Sequence, residues 1–471
     1  MTTIRFGTDG WRGVVNEDFT LDNVRVVAQA IADYIHSSSF PKREIAVGFD
    51  GRTLSPESAR AMAEVLAGNG ISVLLSEGMV PTPVLVYAIK HHQLAGGVMV
   101  TASHNPPRFN GIKFKPFYAG SADEKITEAI EGYLWKETPR ILSVEEAERK
   151  RVVRIENLWG AYEENLRSYV DLQAIWRAPL KVIADPMHAT QGRLIERILS
   201  GSAIEVKTIH ADPDPAFGGL SPEPIPPHTE GLEKAVLEER ADVGLAADAD
   251  GDRIGAVNSR GEFVTPHQIL AMLLLHLYTN RRWRGAVVKT ITTSTLVRKV
   301  AEDLVLPFYE TPVGFKHICE IMRREDVLIG GEESGGMSFK NYFPERDGAL
   351  CGLLLLELMV AEGKKLEEIM ADIDEKYGTF RYGRIDIRYS EESKAKLFAR
   401  LKANPPERMD SHTVAHLDTR DGVKLILDNE DWLIFRASGT EPKLRIYAEA
   451  KSFDDVKKLL AIGNSMAEQA K

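Results

Sequence analysis

The stretch Gly97-Val-Met-Val-Thr-Ala-Ser-His-Asn-Pro106 is an apolar run that stops at small polar residues. Such a run, bounded by turn residues, fits a strand buried on both faces. Similar runs recur at Ile45 to Phe49, Val73 to Leu75, Val182 to Ala184, Val243 to Ala247 and Val287 to Lys289, each ending at small or acidic residues. Between them lie amphipathic stretches of helical length, among them Asn23 to His36, Pro56 to Asn69 and Ile126 to Leu134. This β-α-β rhythm predicts an α/β architecture. Open α/β sheets gather ligands at the carboxyl ends of their strands, so Thr101 to Pro106 is expected at a site, with Ser103 exposed beside His104.

A chain of 471 residues is too long for one core and predicts roughly three or four domains. With 44% hydrophobic and 27% charged residues, each domain can bury one. The formal net charge of -10 and the lack of a basic stripe argue against a nucleic-acid partner. Cys319 and Cys351 show no Cys-x-x-Cys spacing, so neither a disulfide framework nor a zinc site is expected. The start has no apolar signal-like region and no continuous apolar stretch reaches ~18 residues, which predicts a cytoplasmic protein without a membrane span.

Three breaks in the rhythm divide the chain. The charged, strand-poor stretch Ser143 to Glu156 reads as a linker or an exposed helix. Val257 to Phe263 carries hairpin turn chemistry at Asn258 to Gly261. Near Lys376 to Gly383 the pattern changes to strand-like Arg384 to Tyr389, Val423 to Leu427, Trp432 to Phe435 and Leu444 to Ala448, then a closing helix with a capping box from Ser452 to Asp455. The domains expected are therefore 1–155, 156–262, 263–376 and a smaller α+β domain at 377–471.

Three more loops carry chemistry. Asp248-Ala-Asp250-Gly-Asp252-Arg253 concentrates three carboxylates within five residues, hard oxygen ligands suited to Mg²⁺. Its spacing does not fit an EF-hand, which needs glycine at Arg253 and glutamate at Ser259. Gly330-Gly-Glu332-Glu333-Ser334-Gly-Gly336 offers groups suited to sugar hydroxyls, although in isolation it reads as a surface turn. Arg436-Ala-Ser438-Gly439-Thr440-Glu-Pro-Lys443-Leu-Arg445 combines cations, hydroxyls and a glycine, the composition of a phosphate cradle. There is no Walker A sequence and no Gly-x-Gly-x-x-Gly opening a helix, so the usual nucleotide sites are excluded.

Together and in this order, these loops resemble the α-D-phosphohexomutase superfamily of phosphoglucomutase, phosphomannomutase and phosphoglucosamine mutase. The likeness spans essentially the whole chain and includes Phe6-Gly-Thr-Asp-Gly-Trp-Arg12-Gly13 and Asn110-Gly-Ile-Lys113. The resemblance implies three similar mixed α/β domains and a last domain with a TATA-binding-protein-like sheet, around a central cleft. It implies that Ser103 carries the phosphoryl group and that Asp248, Asp250 and Asp252 bind Mg²⁺ against it. Arg12, His104, Lys113, Arg253 and Lys289 would surround the transferring phosphate, with Lys113 at the family's general acid/base position. Glu332 and Ser334 would contact the sugar, and Arg436, Ser438, Gly439, Thr440 and Arg445 would hold the other phosphate. The expected reaction interconverts hexose 1-phosphate and hexose 6-phosphate through a phosphoserine and glucose 1,6-bisphosphate, by a monomer or homodimer.

Glu-Glu-Ser in the sugar loop is usual in phosphoglucomutases, which tilts the expectation toward glucose phosphate over mannose or glucosamine phosphate. In Thr311 to His317, Lys316 and His317 are alternative readers of sugar orientation. Asp-x-Asp after an apolar strand also opens the haloacid-dehalogenase phosphatases. That reading leaves Ser103 and the cradle unexplained. A non-catalytic sugar-phosphate binder is a third possibility, and it would need no metal loop.

Overall fold

The computed structural model describes residues 4–7, 9–437 and 443–470 and holds four sheets in chain order. The first has six strands in the order Trp11–Val14, Phe109–Pro116, Gly96–Val100, Glu44–Phe49, Ser72–Ser76 and Val153–Glu156. Its centre is parallel, and Phe109–Pro116 runs antiparallel to Gly96–Val100. The second sheet places Val243–Ala247 between Ile254–Asn258 and Lys181–Asp185, and the third centres on Ala286–Thr290 beside Val327–Gly331. The fourth pairs antiparallel strands, Arg381–Arg388 with Lys443–Ala450 and that strand with Trp432–Ala437, under helix Phe453–Glu468. Three mixed α/β domains and a C-terminal α+β domain are thus in place.

Ser143 to Glu156 is not a linker. Val144–Arg149 is a short helix that buries Val144 and Ala147, and Val153–Glu156 is the edge strand of the first sheet, parallel to Ser72–Ser76. Because the strand lies at an edge, only Val153 of its four residues is buried, so the apolar signal is weak.

Helix Gly348–Glu362, almost wholly apolar through its first three turns, joins the second and third domains. Gly352 faces Leu245 and Ile254 of the second sheet, where an added Cβ would come within 3.1 Å of Leu245. A helix hydrophobic all round must be covered all round. Here both domains cover it, and one core cluster runs from Val182 and Leu245 through Leu354 to Val287. The last domain docks on the third through Lys424 Nζ donating to Ile291 O at 2.7 Å and Thr295 N–H donating to Glu449 Oε1 at 2.8 Å. No described helix is long and apolar enough to cross a membrane.

Candidate active site

Strand Gly96–Val100 delivers Thr101 to the middle of the molecule. Thr101 Oγ1 donates to Asp50 Oδ2 at 2.6 Å and accepts from the Ser103 N–H at 2.9 Å. Ser103 has a φ of 50°, the left-handed region that non-glycine residues seldom adopt. Its Oγ donates to Asp248 Oδ2 at 3.0 Å. The loop reading placed Ser103 exposed; it is fully buried instead, because the aspartate loop of the second domain lies over it.

The aspartates follow strand Val243–Ala247 and all are fully buried, with one carboxylate oxygen from each within 4.8 Å of the others. Thr82 Oγ1 donates to Asp250 Oδ2 at 2.6 Å, and the Arg253 N–H donates to Asp248 Oδ1 at 3.1 Å. Burial and the charges of Asp250 and Asp252 push Asp248 well above the usual carboxylate range. Burial also raises Asp252; at Asp250 burial acts the same way, but the Lys113 ammonium, the Thr82 hydroxyl and the Arg346 charge together hold it low. Asp250 Oδ1 and Asp252 Oδ1 are buried without a hydrogen-bond partner. Orphaned oxygens in an all-carboxylate donor set fit a hard divalent cation.

Cations converge on the same place. Lys113, on strand Phe109–Pro116, reaches Asp250 Oδ2 at 2.8 Å, Asp9 Oδ2 at 2.9 Å and Asp252 Oδ2 at 3.2 Å. Burial opposes its charge, but Asp250, Asp252 and Asp9 raise its pKa well above that of an ordinary lysine. In this setting Lys113 is held as an ammonium. Arg12 NH1 donates to Asn105 Oδ1, and Arg253 Nε lies 3.8 Å from both Asp248 and Asp252. Burial, then the charge of Arg253, lowers Arg12 to about 10. Burial and the charges of Arg253, Arg12 and Arg445 push His104 well below the usual histidine range. Arg12 and His104, lowered by burial and by the neighbouring cations, mark a concentration of positive charge that suits an anion.

The loop Gly330 to Gly336 adjoins this cluster, since the Ile254 N–H donates to Gly335 O at 3.1 Å. Ser334 sits partly buried in the turn, and Glu332 Oε1 accepts the Gly314 N–H at 3.1 Å. Burial raises Glu332 to about 7 against the opposing charge of Arg346. An ionised Glu332 is the better hydroxyl acceptor, so the KM for a substrate whose hydroxyl it meets should fall between about pH 6 and pH 8. Steady-state kinetics on Glu332→Gln should show that dependence flattened. The linkage sign for stability is opposite: the folded state holds this proton more tightly, so its contribution is full below the unfolded glutamate pKa and is lost as pH approaches about 7.

Arg436 and Arg445 pair across adjacent strands of the last domain. Arg436 Nε donates to Asp421 Oδ2 at 2.8 Å, and Arg445 bears electrostatically on His104. Ser438, Gly439 and Thr440 lie outside the described residues. The structure does not bring Lys289 to the aspartates: its Nζ is bound by Glu310 and by the carbonyls of Thr290 and Thr293. Lys316 is paired with Glu124 at 2.7 Å.

Two residues were missed. Asp9 lies in the opening motif yet had no role assigned, although it bridges Lys113, Lys115 and Arg346. Arg346 meets Asp9 at 2.6 Å, Asp252 at 2.7 Å and Glu332 at 3.7 Å, tying three domains at one guanidinium. Its only local signal is a charged run before an apolar helix, which reads equally well as a solvated cap.

Comparison with known proteins agrees with this geometry. The phosphoglucomutase/phosphomannomutase models match in order: alpha/beta/alpha domain I at residues 3–140, domain II at 160–261, domain III at 265–377 and the C-terminal domain at 385–462. A phosphoglucomutase/phosphomannomutase of Thermococcus kodakarensis is 30% identical, covering 99% of this chain and 98% of its own. A phosphoglucosamine mutase of Nautilia profundicola is 28% identical, covering 97% of each. A crystal structure from Thermus thermophilus, of a protein provisionally assigned as a phosphomannomutase, superposes with a TM-score of 0.88 at 35% identity over 99% of this chain and 100% of that one. Four domain models in order and a full-length relative, together with a site that joins the Ser103, aspartate and Glu332 loops, place this chain in the phosphoglucomutase/phosphomannomutase family of the α-D-phosphohexomutase superfamily.

Proposed function

We propose that this phosphohexomutase carries its transferable phosphoryl group on Ser103 Oγ and acts preferentially on glucose phosphate. The observation that carries the first part is Ser103 Oγ at 3.0 Å from Asp248, inside a carboxylate cluster faced by Lys113 and Arg253. In the first half-reaction the free hydroxyl oxygen of a hexose monophosphate attacks phosphorus and the P–Oγ bond breaks. One proton moves, in net, from that hydroxyl to Ser103 Oγ. Lys113 is the proposed donor to Oγ, and the second half-reaction reverses each step on the other phosphate of glucose 1,6-bisphosphate. Bound by Asp248, Asp250 and Asp252, Mg²⁺ would supply charge neutralisation for the phosphoserine dianion. Arg12 and Arg253 orient the transferring group, while Arg436 and Arg445 anchor the phosphate that stays.

The preference for glucose rests on Glu333. Thr290 Oγ1 donates to its Oε2 at 3.0 Å. Burial would raise its pKa, but bonds from Thr292 and Thr290 and the charge of Arg436 hold it below the usual range. It is therefore a fixed, ionised acceptor for a sugar hydroxyl, an interaction worth about 1.5–3 kcal/mol. Steady-state kinetics should give kcat/KM for glucose 1-phosphate at least about tenfold above mannose 1-phosphate and glucosamine 1-phosphate. A preference for either of those sugars would refute the assignment.

A further inference from the structure

The groups that meet phosphate do not explain how a buried serine is kept in a left-handed conformation. Behind the phosphoserine loop lies Arg52, whose side chain is wholly inaccessible. It belongs to Asp50-Gly51-Arg52, which follows strand Glu44–Phe49, the parallel neighbour of Gly96–Val100. Arg52 Nε donates to Asp50 Oδ2 at 3.0 Å. NH1 donates to the carbonyls of Phe109 at 3.0 Å and Pro106 at 3.1 Å, and NH2 to those of Asn105 at 2.7 Å and Ser103. A guanidinium has five N–H donors in a rigid plane. All are used here, four of them on main-chain oxygens between Ser103 and Phe109.

Both sides of this contact are themselves fixed. Asp50 also accepts from Thr101 Oγ1 at 2.6 Å, Ser55 Oγ at 2.7 Å and the Arg52 N–H at 3.0 Å. The ring of Phe217, from the second domain, lies 4.9 Å from the guanidinium carbon. Phe217 packs with Ala249, which sits inside the aspartate loop. One flat cation thus touches the backbone that presents Ser103 and a ring packed on the loop that meets its Oγ.

We infer that Arg52, held flat by Phe217, is a positioning residue that sets the Ser103 backbone against the aspartate loop, so that the serine ester presents its phosphorus in line to the sugar hydroxyl. The inference rests on Ser103 being the phosphoryl carrier. Lysine would keep the charge but, with three donors on a point, cannot reproduce the fork. Displacing a reacting group by about 1 Å costs about 100-fold in rate.

The test charges each purified protein with ³²P-labelled glucose 1,6-bisphosphate and Mg²⁺, then follows turnover, loss of label to water and the ³¹P resonance of the phosphoserine. Arg52→Lys should lower kcat about 100-fold, leave KM within about threefold and shift or split the resonance, at a thermal midpoint showing a folded protein. If the unaltered protein takes no label on Ser103, the carrier reading fails. If it does and folded Arg52→Lys keeps kcat within about threefold with an unchanged resonance, the positioning role is overturned. A kcat that falls only in proportion to the folded fraction overturns it as well. Should Arg52→Lys not fold, Phe217→Leu takes its place; it keeps the five hydrogen bonds, and an unchanged kcat and resonance there overturn the inference.

Discussion

Ser103→Ala will lower kcat for hexose phosphate interconversion by about four orders of magnitude or more, because no other described hydroxyl donates to the aspartate cluster from this position and loss of a nucleophile is among the largest single-site effects known. The substitution is mild for the fold. Serine already occupies the left-handed region at φ 50°, so alanine adds no new backbone strain. The loss is one hydrogen bond to Asp248, about 1 kcal/mol. A thermal midpoint close to that of the unaltered protein, measured beside the coupled assay, separates lost chemistry from lost structure. Substrate binding should persist, since Arg436, Arg445 and Glu332 are untouched.

Lys113→Met should do nearly as much damage, by two routes. Asp9, Asp250 and Asp252 lose a shared ammonium that lies within 3.2 Å of each. Removing one partner of a buried ionic cluster costs about 3–5 kcal/mol, which for a chain of 471 residues melting as one unit lowers the melting point by about 3–5 °C. The rate should fall about 100- to 10,000-fold in the folded protein, as expected for a lost proton donor. The stability route has a distinguishing mark. Saturating Mg²⁺ neutralises the same carboxylates, so it should recover part of the melting point and little of kcat. Calorimetry with and without Mg²⁺, paired with turnover at a temperature where the variant is folded, checks both parts. A kcat within tenfold of the unaltered protein would remove Lys113 from the chemistry.

Much of the site was legible because phosphate chemistry leaves local marks. Three alternating aspartates after an apolar strand point to a cation within a few residues, whereas a serine after another strand reads equally well as a polar turn until its partners are counted. The fold brings Ser103 to Asp248 across the first two domains, an adjacency that the family resemblance implied. What escaped lies in contacts between distant residues. Arg346 acquires meaning only when Asp9, Asp252 and Glu332 arrive from three domains. Arg52 binds carbonyls, which every residue has, so no side-chain pattern marks its partners. Lys289 illustrates the converse: a lysine at the end of a buried strand looks available, yet Glu310 one strand away holds it.

The same contrast runs through the fold. Buried central strands announce themselves as apolar runs. Strands at or next to an edge do not: Val153–Glu156 buries one side chain, and His412–Asp418, flanked on its outer side only by the two-residue strand Arg408–Met409, buries only Asp418 and has an irregular register against Val423–Leu427. Their membership in a sheet follows from pairing, which is a tertiary fact. The packing of helix Gly348–Glu362 is likewise visible as hydrophobicity in the chain, whereas its role in joining two domains is not.

The phosphoryl group should travel on Ser103. Incubation with ³²P-labelled glucose 1,6-bisphosphate and Mg²⁺, followed by proteolysis and mass spectrometry, locates the label directly. One acid-stable phosphate on Ser103 is expected, absent from Ser103→Ala and discharged by added glucose 1-phosphate. Label on Asp248 as a hydroxylamine-sensitive acyl phosphate, or no label while turnover proceeds, would contradict it.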